Sequence, residues 1–196
     1  MKTATYNTIK IIIAGILLTA AVACKKSKDD VATPVNPNET ELITTVKLFV
    51  YPTNNTSAVS IFTFRDLDGD GGKAPVIDTI RLQENTEYHL QVLVLDETKN
   101  PVDTTSKEIL SEKNVHEFFY TQLGNYVLIT TYLDFDDHNV PLGLNMKVNT
   151  GTAFAEKTNK LKVVLKHQPG LKPTSGKGDS SLGETDIDIE FPILVQ

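Results

Sequence analysis

Thiols and indole rings are almost missing from this chain of 196 residues, which has one cysteine, Cys24, and no tryptophan. A lone thiol forms no internal disulfide and no cysteine-ligated zinc cluster. Aromatic residues make up 7% of the chain, too few for the stacking platforms on which sugar rings or bases are usually read. Positive charge is also short, with 19 Lys and Arg against 25 Asp and Glu and a net charge of −6. Affinity for nucleic acid comes from neutralising phosphates with Lys and Arg, so this balance argues against a nucleic-acid partner. No G-x-S-x-G or H-E-x-x-H occurs, so the sequence offers neither a serine-hydrolase elbow nor a zinc-protease helix. The longest apolar run, Ile11 to Ala23, has 13 residues, whereas a spanning helix needs ~20.

That run is informative for what surrounds it. Lys2 and Lys10 precede it with no acid, and Ala21 and Ala23 directly precede Cys24. A basic stretch, a short apolar stretch and a small-residue cleavage site define a secretory signal peptide. Placed before a cysteine, they match the lipobox of bacterial lipoproteins, in which the thiol takes a diacylglycerol and becomes the new N-terminus. Cleavage would remove 23 residues, two lysines among them and no acid, leaving 173 residues and a net charge of −8. An anchored Cys24 leaves the remainder without any thiol for catalysis. Residues 1–23 therefore read as a signal peptide and 24–40 as a lipid-anchored flexible tether, rich in charge, Pro and Asn and lacking apolar periodicity. Within the tether, Lys28-Asp29-Asp30 resembles the lysine-and-acid export signal that sends some Bacteroidota lipoproteins to the outer face of the outer membrane. A solvated charge cluster in a linker has the same composition.

Residues 41–196 alternate apolar and polar side chains with a period of two, in one short segment after another, the pattern of strands buried on one face. Nine strands are expected, near residues 43–51, 59–65, 77–82, 88–95, 115–121, 126–133, 142–148, 161–167 and 185–194. Turn signals separate them, among them Pro52-Thr53-Asn54-Asn55, Asn100-Pro101 and Gly124-Asn125. The single helical candidate is 106–114, which is equally compatible with a short turn. Many short strands with little helical pattern predict one all-β domain, an antiparallel β-sandwich that is immunoglobulin-like or related, and disfavour a parallel sheet.

The most specific local pattern is Asp66-Leu67-Asp68-Gly69-Asp70-Gly71-Gly72. Alternating carboxylates with glycines in a tight loop suit a hard cation such as Ca2+. An EF-hand would need Glu where Ile77 stands, and helices where strands are expected. A calcium loop of Asp66, Asp68 and Asp70, completed by Asp78 or by Asp134 to Asp137, is one reading; an acidic hairpin turn is the other. Of the four histidines, His89, His116, His138 and His167, none is spaced to define a site, and a transition-metal centre would have to be assembled from distant strands. His116 and Glu117 should point to opposite faces of their strand. Gly176-Lys177-Gly178-Asp179 has no strand and helix framing it as a phosphate loop, and reads as a flexible connection to the last strand.

The segments Phe62-Thr63-Phe64-Arg65-Asp66, Asp68-Gly69-Asp70-Gly71-Gly72, His116-Glu117-Phe118-Phe119-Tyr120, Pro141-Leu142-Gly143-Leu144, Val164 to Gly170 and Gly183-Glu184-Thr185-Asp186 together resemble small Bacteroidota outer-membrane lipoproteins, a group with no assigned activity. The resemblance spans most of the chain after Cys24. Members often carry a label invoking a type 1 periplasmic binding fold, which implies an α/β protein of two lobes, whereas the strand pattern here points to an all-β one. The resemblance also implies association with TonB-dependent outer-membrane transporters. The expected function is a non-enzymatic binding or accessory protein, lipid-anchored at the cell surface or the periplasmic face of the outer membrane. The alternatives are a calcium-stabilised structural or adhesive surface module, and a hydrolase whose carboxylates cluster in a cleft. Mass spectrometry of the product made in its native host should show a chain beginning at an acylated Cys24, and Cys24→Ser should abolish the lipid adduct; an unmodified Cys24 would refute the anchor.

Overall fold

The computed structural model describes residues 42–196, apart from 70, 155 and 157. The signal peptide, Cys24, the Lys28-Asp29-Asp30 triplet, the rest of the tether and Asp70 lie outside the described residues. Among the described residues, ten strands and one short helix follow in the order β1 (Thr45–Pro52), β2 (Ser60–Arg65), β3 (Val76–Ile77), β4 (Ile80–Leu82), β5 (Glu87–Leu95), α1 (Thr105–Ser111), β6 (His116–Leu123), β7 (Leu128–Tyr132), β8 (Asn145–Thr150), β9 (Lys160–His167) and β10 (Glu184–Val195). They form a six-stranded sheet in the order β3-β2-β1-β5-β8-β7 and a four-stranded sheet in the order β4-β10-β9-β6. The all-β sandwich expected from the alternation is the observed fold.

Alternation explains which faces meet. In β1, Val46, Leu48 and Val50 are buried while Lys47, Phe49 and Tyr51 are only half-buried. Tyr88, Leu90, Val92 and Val94 of β5 and Met146 and Val148 of β8 continue the same inner face. The second sheet answers with Phe118, Leu161, Val163 and Leu165, and with Ile187, Ile189, Phe191, Ile193 and Val195 along β10. Because successive side chains of a strand point to opposite faces, one apolar set per strand is enough to fill the space between the sheets.

Two expectations about the strands need correction. The segment expected as one strand at 77–82 is two strands belonging to different sheets. β3 pairs with β2, Ile77 opposite Phe64, whereas β4 pairs with the end of β10, Ile80 opposite Ile193 and Leu82 opposite Val195. Asp78 ends the first pairing, since its N–H donates to the Thr63 carbonyl and its Oδ2 accepts the Thr63 N–H. Having used both its backbone and its side chain on β2, the chain crosses over, and Ile80 and Leu82 enter the core. The second correction is that the β4–β10 pairing is parallel, the one departure from an otherwise antiparallel set of pairings among the described strands. The only local trace of the crossover is the adjacent polar pair Asp78-Thr79, after which the apolar positions shift from Ile77 to Ile80 and Leu82.

The helix is shorter than its candidate, ending at Ser111 with Glu112 as C-cap, and it buries Thr105, Ser106 and Ile109. No helix among the described residues is long and apolar enough to cross a membrane. Phe118 and Phe191 are the bulkiest of the fully buried side chains. Phe118→Ala should lower unfolding free energy by about 3–5 kcal/mol, through lost transfer and the cavity left behind, a loss that urea titration would register as an earlier midpoint.

Candidate functional site

Polar groups gather at one pole of the sandwich, where β6 begins, β9 ends and β10 starts. The antiparallel register sets His116 opposite His167 and, on the other side of β9, Glu184 opposite His167. The two imidazoles stack, with centroids 4.6 Å apart and planes within 14°. His116 is 1% exposed and His167 6%. His116 Nδ1 lies 3.2 Å from the Glu112 carbonyl oxygen at the end of α1. A carbonyl only accepts, so the hydrogen of a neutral His116 sits on Nδ1. Nε2 then presents a lone pair, and it faces Asp186 Oδ2 at 3.9 Å.

Asp186 occupies an irregularity in β10, where the register with β9 slips between Thr185 and Ile187. An extra residue in a strand is a device for re-aiming a side chain, and here it turns a carboxylate inward: the Asp186 side chain is 2% exposed and its Oδ2 has no hydrogen-bond partner. Burial pushes the Asp186 carboxyl up to about 6, against a pull from neighbouring His167. Burial likewise takes the His116 imidazole down to about 4, and nearby His167 adds to the fall. Both shifts favour uncharged forms, as expected when ionisable groups leave water.

On the opposite face of β6 a second polar group is covered by the connection between β9 and β10. Glu117 is fully buried; its Oε2 accepts the Gly178 N–H at 3.1 Å and its Oε1 has no partner. A Cβ at Gly178 would stand 2.1 Å from that Oε2, so only glycine lets the connection close over the carboxyl. The connection, expected from its glycines to be flexible, is tied to the sandwich at several points: Gln168 Nε2 donates to the Asp179 and Leu182 carbonyls, and the Gln168 N–H donates to the Val115 carbonyl. Lys172, from the same connection, lies buried with its Nζ donating to the Lys113 and His116 carbonyls at 2.7 Å and 3.1 Å from Asp136 Oδ2. Burial works against the Asp136 charge, but the Val140 N–H, Lys172 and the His138 N–H outweigh it and hold the carboxyl below its usual range. His116 and Glu117 do face opposite ways, as the strand requires; both are buried because the core covers one face and the connection the other.

The acidic loop sits elsewhere. Asp66 Oδ1 accepts the Gly69 N–H at 3.0 Å and Asp68 Oδ2 the Lys73 N–H at 3.0 Å, the bonds of a self-supporting turn. Asp78 is engaged with Thr63 as described above, and Asp70 lies outside the described residues. Asp134 is also committed to its own loop, where it accepts the Gly143 and Leu144 N–H groups. A groove of about 360 Å³, between the start of β10 and strands β1 and β2, brings Asp66 and Gly69 to the same opening as Asp186 and Asp188. Its acids are directed to separate partners, Asp188 to Lys162 at 2.9 Å, Asp66 to its own loop and Asp186 toward His116. Of the other histidines, His138 is exposed, and His89 is half-buried and stacks on Tyr51 at 5.4 Å.

No protein-family model matches the chain, and neither does any curated protein or solved structure. The geometry must therefore speak for itself. Among the described residues, one group of potential metal ligands has its donor atoms within 4.8 Å of one another: Glu112, His116 and His167. Sequence inspection missed it because the histidines lie on different strands. The available signal was weak, a histidine at the start of one expected strand and another at the end of a second.

The raised Glu117 carboxyl gives a pH test. Burial lifts it to about 7, against the attraction of Lys172 and the Gly178 N–H. A carboxyl whose folded value exceeds its unfolded 4.5 stabilises the fold at low pH, and that stability is lost as pH rises through the folded value. Glu117→Gln, which stays neutral, should therefore gain stability relative to the parent as pH climbs from about 4.5 to 7, by up to ~3 kcal/mol. A flat difference in denaturant midpoint across that window would show that Glu117 is not protonated in the fold.

Proposed function

We propose that the protein is a non-enzymatic, lipid-anchored binding or accessory protein of the outer membrane that captures a small nutrient or ion for an adjacent TonB-dependent transporter. The observation that carries the reading is the buried polar pole: the ionisable groups that converge, His116, His167 and Asp186, are almost wholly removed from solvent, and of the three only Asp186 borders the neighbouring groove. General acid–base chemistry needs a proton-transferring group within hydrogen-bond reach of the reacting atom of a bound substrate. The acids of the neighbouring groove, by contrast, are each directed to a different partner. Such a pole suits binding of something no larger than an ion.

Location supports the same reading. A short apolar leader, small residues before a lone cysteine and a polar tether are the parts of a lipid-anchored protein, and a net charge of −8 beyond Cys24 leaves little electrostatic attraction to anionic headgroups or nucleic acid. The lipid would hold an acidic β-domain near the bilayer without embedding it. The alternative of a calcium-stabilised structural or adhesive module rests on Asp66, Asp68, Asp70 and Asp78, of which the first two are already satisfied by their own turn and Asp78 by β2. Cross-linking in intact cells followed by purification through a C-terminal tag should enrich an outer-membrane transporter over an unrelated tagged lipoprotein. Recovery of no surface partner in repeated experiments would overturn the accessory role.

A further inference from the structure

We propose that Glu112, His116 and His167 form a binding site for one divalent transition-metal ion such as Zn2+, oriented by Asp186 from behind; this rests on the reading of the protein as a capture module and names what it captures. The donor set comes first. Two imidazoles and a carboxylate are ligands for the borderline divalent ions, whereas Ca2+ and Mg2+ call for oxygen alone. Three protein ligands with an open fourth position are the pattern of zinc sites that exchange a ligand with solvent. Here the donor atoms already lie within 4.8 Å of one another, with Glu112 Oε2 3.9 Å from His116 Nδ1. Ligand atoms around a tetrahedral zinc ion stand about 3.3 Å apart, from bond lengths of ~2.0–2.1 Å, so the set closes by a contraction together with a ring rotation.

The mounting of each ligand suits the task. His116 and His167 are fixed by the β6–β9 register at directly opposed positions, and they are buried. Glu112 caps the end of α1 and its side chain is 45% exposed, so the site has one ligand reaching into solvent through which an ion can enter. The two rings lie within 14° of parallel. Ring lone pairs lie in the ring plane and do not converge from a parallel stack, so one imidazole must turn about its Cβ–Cγ bond as the ion arrives.

Asp186 supplies an independent observation. Its Oδ2 is buried without a partner, and it stands behind the far nitrogen of His116 at 3.9 Å. When Nδ1 gives its lone pair to a metal, the ring hydrogen moves from Nδ1 to Nε2, and no proton is gained or lost overall. Asp186 Oδ2 is then placed to accept the Nε2–H, the carboxylate–histidine–metal relay that orients a ligand ring and strengthens it as a donor. The inward turn of Asp186 at the irregularity of β10 thereby acquires a use that the metal-free arrangement does not give it.

The test uses the full chain purified in detergent and stripped with a chelator, then titrated with Co2+ and with Zn2+. The expected result is one Co2+ per chain, with the visible ligand-field bands of a four-coordinate ion bearing nitrogen donors, displaced stoichiometrically by Zn2+. His167→Ala and Glu112→Gln should each weaken binding at least tenfold and alter the band shape. Asp186→Asn should keep the band shape but weaken affinity about 10–100-fold, a separation that a loss of packing alone would not produce. Absence of a stoichiometric site in the parent chain, or unchanged binding by both Glu112→Gln and His167→Ala, overturns the proposal. Should His167→Ala fail to fold by circular dichroism, Glu112→Gln at the exposed helix end decides alone. Unchanged affinity in Asp186→Asn removes Asp186 from the assignment. A chain that binds no metal yet recovers a transporter on cross-linking loses this inference and keeps the accessory reading; one that binds metal but recovers no partner does the reverse.

Discussion

The antiparallel register between β6 and β9 is the constraint from which the rest of the pole follows. It runs from His116 opposite His167 to Leu123 opposite Lys160, and a slip of one residue would turn every inward side chain of β6 outward. Phe118 would leave the core and Glu117 would enter it. The apolar matches of Phe118 with Leu165 and of Tyr120 with Val163 therefore fix, at no further cost, where the two histidines meet. A packing requirement along the strand becomes a polar arrangement at its end.

That end is costly to close, because it takes carboxylates, imidazoles and an ammonium out of water. The fold manages the cost in different ways for different groups. Lys172 is surrounded by two carbonyls and Asp136, as a buried cation must be to remain charged. Glu117 and Asp186 are instead pushed toward the neutral form by burial, and His116 is held neutral. The connection from Gln168 to Gly183 is what makes the enclosure stable. Gln168 ties its own loop, Gly178 closes over Glu117, and Gly183, at φ +78°, passes so close to His167 that a Cβ there would stand 2.3 Å from the His167 carbonyl oxygen. Coverage of both faces of β6 is thus a property of this connection as much as of the sandwich.

Much of the architecture was legible because alternation is a local signal. Val46-Leu48-Val50 and Ile187-Ile189-Phe191 each announce a strand with one buried face, whatever the strand pairs with. The break at Asp78 was not legible, because what ends β3 is a pair of bonds to Thr63, distant in sequence. The tie between the loop at residues 176–179 and the core was not legible for a similar reason: glycines mark freedom of the isolated backbone, and the partner of the Gly178 N–H, Glu117, lies some sixty residues away. The turn chemistry around Asp66 and Asp68 is encoded locally, since the bonds that the Gly69 N–H makes to Asp66 and the Lys73 N–H to Asp68 are short-range.

By itself the sequence determined the leader pattern before Cys24, the acidic balance and the all-β class, each of which depends on composition or on neighbours a few residues apart. Tertiary structure alone decided that His116 and His167, fifty-one residues apart, stack on each other, that Asp186 turns inward behind them, and that β3 and β4 belong to different sheets. The physical reason is the same in each case. Strand pairing is a contact between distant segments, chosen by the burial of the whole core, and no local pattern records which strand will lie beside which.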